Sequence, residues 1–62
     1  MAMFTVGERL KGWVLNDEGE EILVFGAYEA TTDDPEEIIQ DVIIRDDNGK
    51  VHYIDEQTVR RA

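Results

Sequence analysis

Asp41-Val-Ile-Ile-Arg45-Asp-Asp-Asn48-Gly49-Lys-Val-His52-Tyr-Ile-Asp55-Glu-Gln-Thr-Val-Arg-Arg61 decides the fold. Two β-branched runs, 41–45 and 50–54, flank Asn48-Gly49, the strongest short-range hairpin signal a sequence offers. Both turn residues tolerate positive φ, which a type I′ turn demands at its two central positions. A two-residue loop sets Asp47 opposite Lys50, Arg45 opposite His52, Ile44 opposite Tyr53 and Ile43 opposite Ile54. Val42, Ile44, Val51 and Tyr53 then share one apolar face. A three-residue loop that includes Asp47 would put Arg45 opposite Val51 and mix the faces; since a slip of one residue exchanges inside for outside, the two-residue loop is preferred. The fold class is β-rich.

Working outward, Asp55-Glu56-Gln57 is too short and polar for a strand, and Thr58-Val59-Arg60 supplies a last short one. Upstream, Arg9–Leu15 alternates, with Leu10, Gly12 and Val14 on one face and Trp13 and Leu15 on the other. Asn16-Asp17-Glu18-Gly19 is a polar turn cluster. Glu21–Ala30 is apolar on both faces, the pattern of a central strand covered on both sides. Gly26 within it suggests a bulge or bend. Phe25 and Tyr53 are assigned to the core.

Residues 31–41 admit two readings. Asp34-Pro35-Glu36-Glu37 has the chemistry of a helix start, with an N-cap Asp, Pro at the first helical position and Glu at the third. An α+β alternative therefore carries a short helix at about 35–41. Ile38–Arg45, however, is rich in β-branched residues and feeds directly into the hairpin. One helical turn at 35–37 followed by a strand is the preferred reading.

The whole order resembles an SH3-like small β-barrel: a strand after Val6-Gly7-Glu8, a long central strand, an irregular acidic loop, a tight hairpin at Asp47–Lys50, a one-turn Asp55–Gln57 link and a terminal strand. That resemblance covers most of residues 1–62, read as a single domain, and is architectural, with no diagnostic motif. It implies an all-β fold of five strands in a partly open barrel with one short helical turn. Such barrels serve as peptide binders, methyl-lysine readers and small phage or plasmid proteins, so fold alone does not select an activity.

Composition narrows the field. The chain has 62 residues, no cysteine, and a net charge of −9. No disulfide framework or thiolate zinc site is open to it. No apolar run reaches the ~20 residues of a membrane span, and a cytoplasmic location is expected. From Gly12 to Ile44 there are ten acids and no Lys or Arg; the remainder holds five acids and six bases. A −10 segment repels phosphate, so direct binding to nucleic acid or an anionic membrane is not expected. It attracts a basic protein surface instead.

Catalysis lacks its usual groups. Neither Cys nor Ser occurs, and His52 is the only histidine, leaving no triad and no expected enzyme activity. Placing Gly49 at the required glycine of a calcium loop puts Ile44 at the first ligand position, so no metal or cofactor is expected. What remains is a non-enzymatic acidic protein-binding module. Its expected contacts are Asp17, Glu18, Glu20, Glu21, Asp33, Asp34, Glu36 and Glu37, with Trp13 and Tyr28 as half-exposed aromatics. One version is a phage or mobile-element inhibitor that imitates nucleic-acid charge, as anti-restriction and anti-CRISPR proteins do. A second is an SH3-like module that binds a basic or proline-rich peptide of a host complex. A third is a structural homo-oligomeric subunit using exposed strand edges.

Overall fold

A computed structural model describes residues 3–33, 35–36 and 38–62. They form one open sheet of five antiparallel strands: β1 Arg9–Leu15, β2 Glu21–Thr31, β3 Asp41–Arg45, β4 Val51–Asp55 and β5 Arg60–Arg61. The strand order is β4-β3-β2-β1-β5. Among the described residues there is no helix.

One face of the sheet curls around a small core of Leu10, Val42, Ile44, Ile54 and Val59, each at most 3% exposed. Phe4, Val14, Val24 and Tyr28 pack against it. The curl closes tightest between β1 and β4: a Cβ on Gly12 would meet the Ile54 side chain at 2.8 Å. With ~2 kcal/mol attached to each fully buried aliphatic side chain, five of them leave little margin in a domain this small.

The β3–β4 hairpin corrects the sequence reading by one residue. Arg45 pairs with Val51, Ile44 with His52, Ile43 with Tyr53 and Val42 with Ile54. The loop is three residues long because Asp46 organises it. The Asp46 N–H donates to the Lys50 carbonyl at 2.9 Å and the Gly49 N–H donates to the Asp46 carbonyl at 3.0 Å. Asp46 Oδ1 accepts the Asn48 and Lys50 N–H groups, both at 2.9 Å. This turn needs a single left-handed residue, and Gly49 supplies it at φ +83° while Asn48 stays negative. It is the three-residue loop with a glycine bulge, not the two-residue type I′ turn. The slip exchanges the faces of β4: His52 turns inward, its side chain 9% exposed, and Tyr53 turns outward at 62%.

Three further expectations change, and one alternative is removed. Phe25 is 41% exposed on the outer face of β2 and is not core; its neighbours on that face, Trp13 and Leu23, are likewise exposed among the described residues. The register of β2 against β3 shifts between Tyr28 and Ala30, so the irregularity falls at Glu29. Gly26 is required for another reason: a Cβ there would meet the Arg45 carbonyl oxygen at 2.6 Å. The α+β alternative falls: among the described residues of 35–41 there is no helix, Pro35 and Glu36 lie in a turn and Asp41 already begins β3, in line with the preferred reading of a turn followed by a strand. The expected N-cap Asp34, and Glu37, lie outside the described residues. The last strand is Arg60–Arg61, and Val59 is drawn into the core instead of pairing. The Asp55–Gln57 link is one hydrogen-bonded turn, closed by Thr58 N–H on the Asp55 carbonyl at 2.9 Å.

Candidate functional site

The sheet stays parted where β4 runs toward Lys50, away from the Gly12–Ile54 contact, and a cleft of about 460 Å³ opens there. Trp13, Val14, Leu15 and Ile22 of the first hairpin form one wall; Lys50, Val51, His52 and Tyr53 form the other. Asn16 and Asp17 stand at the lip. The walls carry an unusual density of exposed apolar surface: Trp13 is 55% exposed, Leu15 69%, Ile22 40% and Tyr53 62%. Large apolar groups left this accessible in so small a domain mark a contact surface more often than a defect.

The turn at the lip has the same construction as the β3–β4 turn. The Asn16 N–H donates to the Glu20 carbonyl at 2.9 Å, and the Gly19 N–H donates to the Asn16 carbonyl at 3.0 Å. Asn16 Oδ1 accepts the Glu18 and Glu20 N–H groups, both at 2.9 Å, and Gly19 takes φ +80°. Asp17, Glu18, Glu20 and Glu21 are thereby held together, all exposed, beside the cleft.

Asp33 and Glu36 are exposed as well, but they sit in the β2–β3 loop, at the far end of β2 from the Asn16–Glu20 turn. Ten residues of strand, 22–31, separate the two groups, a contour of roughly 33 Å at ~3.3 Å per residue. The structure therefore brings Asp17, Glu18, Glu20, Glu21 and Trp13 together and leaves Asp33 and Glu36 elsewhere. Asp34 and Glu37, expected on the same surface, lie outside the described residues. Tyr28 belongs to the interior side: its ring centroid is 5.6 Å from that of Phe4 and its hydroxyl is 2.7 Å from Thr31 Oγ1.

The cations are mostly engaged. Arg9 meets Asp47 through two bonds of 3.1 Å. Arg45 bonds Glu29 at 2.9 Å and donates to the Gly49 carbonyl at 2.8 Å. Arg61 pairs with Glu8 at 2.6 Å and lies 4.9 Å over the Phe4 ring. These contacts hold four ionisable groups away from their ordinary values. The His52 hydrogen bond at 2.8 Å, then the turn N–H groups, hold Asp46 below the usual carboxylate range. Arg9 does the same for Asp47, which in turn raises Arg9. The Thr5 N–H, followed by Arg61, lowers Glu8. All four shifts arise from contacts that tie loops and strands together. Among the described residues no three His, Asp or Glu side chains converge as a metal ion would require, and no helix is long and apolar enough to cross a membrane.

Val51 and Tyr53 were missed as cleft residues because the assumed register buried them on the core face. The signal was present in duplicate, since Asn16-Asp-Glu-Gly19 and Asp46-Asp-Asn-Gly49 share one Asx-x-x-Gly pattern, which specifies the three-residue loop. No protein-family model, curated protein or solved structure matches this chain.

Proposed function

We propose that this chain is a non-enzymatic protein-binding module that takes a basic, partly apolar segment of a partner protein into the cleft between the first hairpin and β4. The observation that carries this reading is Trp13, 55% exposed on the wall of that cleft, with four clustered acids on the adjoining turn. An amphipathic aromatic beside fixed negative charge suits a Lys- or Arg-bearing peptide, through cation–π contact and steering. The β1–β4 antiparallel meander, with β5 returning after a hydrogen-bonded turn to pair with β1, supports an SH3-like class of small barrel, here an open one. The lack of cysteine suits a reducing cytoplasm.

Within this class the peptide-binding version is favoured over imitation of nucleic-acid charge. A charge mimic needs its acids spread along one surface, whereas Asp33 and Glu36 lie at the opposite end of β2 from Asp17, Glu18, Glu20 and Glu21. The test follows Trp13 fluorescence during titration with a panel of synthetic basic peptides. Binding is expected, is expected to vanish with Trp13→Ala, and is expected to survive neutralisation of Asp33, Asp34, Glu36 and Glu37. Affinity that ignores Trp13 and collapses on loss of those four acids would return the charge-mimic reading.

A further inference from the structure

We infer that the partner segment binds as an added β-strand on the free edge of β4. This rests on the proposed function and specifies how the same cleft is used. Among the described residues β4 ends the sheet and pairs only with β3. In an antiparallel ladder, alternate residues direct their N–H and C=O groups to opposite sides. The Asp46 N–H bonds the Lys50 carbonyl, so the bonded pairs continue at Ile44–His52 and Val42–Ile54. Val51 and Tyr53 must then aim their N–H and C=O groups away from β3, toward the cleft. Two donors and two acceptors stand in register along its wall.

Among the described residues this edge is only lightly guarded, by Lys50 before the strand and Asp55 at its end. Proteins blunt exposed edge strands with charge, proline, a bulge or very short length. The other edge obeys: β5 has two residues, both Arg. β4 reads Val51-His52-Tyr53-Ile54-Asp55, with no proline and a formal charge only at its last residue. It is left open beside a cleft whose opposite wall, Trp13, Val14 and Ile22, can receive every second side chain of an added strand. Cleft volume, about 460 Å³, lies within the range of ligand-holding pockets.

Charge selects the occupant. A second copy of this chain could pair edge to edge, but each copy carries −9 and the approach is repelled. A segment alternating Val or Ile with Lys or Arg fits instead. Its apolar side chains turn into the cleft, its main chain joins β4, and its cations meet the Asp17–Glu21 turn.

The test uses a synthetic peptide of about eight such residues, within ordinary strand length. Amide hydrogen exchange of the intact protein is followed with and without it. Val51 and Tyr53 amides, fast in the free protein, are expected to slow in the complex, while His52 and Ile54 are slow in both. Peptides N-methylated at single positions are expected to lose about tenfold or more in affinity at every second residue and little in between. Tyr53→Pro removes an edge donor without breaking the β3–β4 ladder, and is expected to bind more weakly than Tyr53→Thr. If Tyr53→Pro does not fold, the N-methyl series decides alone. Binding with no two-residue periodicity and unchanged Val51 and Tyr53 exchange overturns strand addition and leaves the proposed function standing. No binding by this peptide or by any of the basic panel overturns both.

Discussion

The Asn16–Glu20 and Asp46–Lys50 turns are the same backbone object placed in two electrostatic settings. In each, an Asx oxygen accepts the N–H groups two and four residues on, and a glycine sits near φ +80°. The second turn is tied into the sheet: Asp46 holds His52, Asp47 holds Arg9, and Arg45 reaches the Gly49 carbonyl. The first has only its own frame and a long 3.5 Å Asn16–Glu20 side-chain contact. Identical local geometry therefore carries no information about role. The tied turn sets register, and the untied one leaves its acids exposed.

The largest effect is expected from the glycines. Valine at φ near +80° is strained at either position, since β-branching resists the left-handed region. Gly49→Val should cost more than ~1 kcal/mol, because the tied loop cannot relax without disturbing the Arg45 and His52 contacts. Gly19→Val should cost less, the free turn having room to distort. Chemical denaturation of both variants measures the difference; equal losses would remove the distinction between the turns.

A second, smaller difference lies in acid. Asp46 and Asp47 are held below their ordinary 3.8, and Glu8 below 4.5. The folded state thus binds these protons less readily than the unfolded chain. Their contribution is complete above about pH 4.5 and is lost as pH falls through the lowered folded values. Asp46→Asn keeps the Oδ1 that frames the turn and removes one such acid. Its stability should fall less between pH 7 and pH 3 than the parent's does. Asn16→Ala, which removes no charge, should leave that pH dependence unchanged.

Most of the architecture could be read from residue pattern. The alternation in Arg9–Leu15 located β1 and its inward set Leu10, Gly12 and Val14. The β-branched runs located β3 and β4, and the polar clusters located the turns between them. What failed was a choice of parity at one loop. Asn48-Gly49 favours a two-residue turn by local propensity, but Asp46, one position outside the compared alternatives, supplies three hydrogen bonds that favour the longer loop. Since strand faces have period two, that single choice reversed His52 and Tyr53. The candidate site inherited the error: Trp13 was legible as an outward aromatic, whereas the Tyr53 wall was not. The grouping of the acids was also beyond pattern reading, because it depends on β2 being long enough to separate its two ends.

A third difference concerns the ion pair that ties the second turn to β1. Arg9 and Asp47 are 54% and 78% exposed, so solvent screens them despite their paired geometry. Arg9→Gln should lower stability only slightly, less than Gly49→Val, and the loss should shrink as salt rises. Its diagnostic readout is local. Exchange of the Asn48 and Gly49 amides should quicken, approaching that of Glu18 and Gly19, while the β3–β4 ladder stays protected.

The smallest effect on stability, and the largest on binding, is expected at the untied turn. Neutralising Asp17, Glu18, Glu20 and Glu21 to Asn or Gln removes four exposed charges that make no ion pair among the described residues. Stability should shift by no more than about 0.5 kcal/mol, the usual scale for surface substitutions. Association with a basic peptide should slow markedly, since attraction between opposite charges acts mainly on encounter. Raising salt from ~0.05 to ~0.5 M shortens the screening length from about 14 to about 4 Å and should reproduce that slowing in the parent. The neutralised variant should respond little to the same change. Matching neutralisation of Asp33, Asp34, Glu36 and Glu37 should leave the association rate near that of the parent, because Asp33 and Glu36 stand at the far end of β2. Stopped-flow fluorescence on the two quadruple variants separates the ends of the molecule. Equal slowing from both would mean that total charge, and not the Asn16–Glu20 turn, draws the partner in.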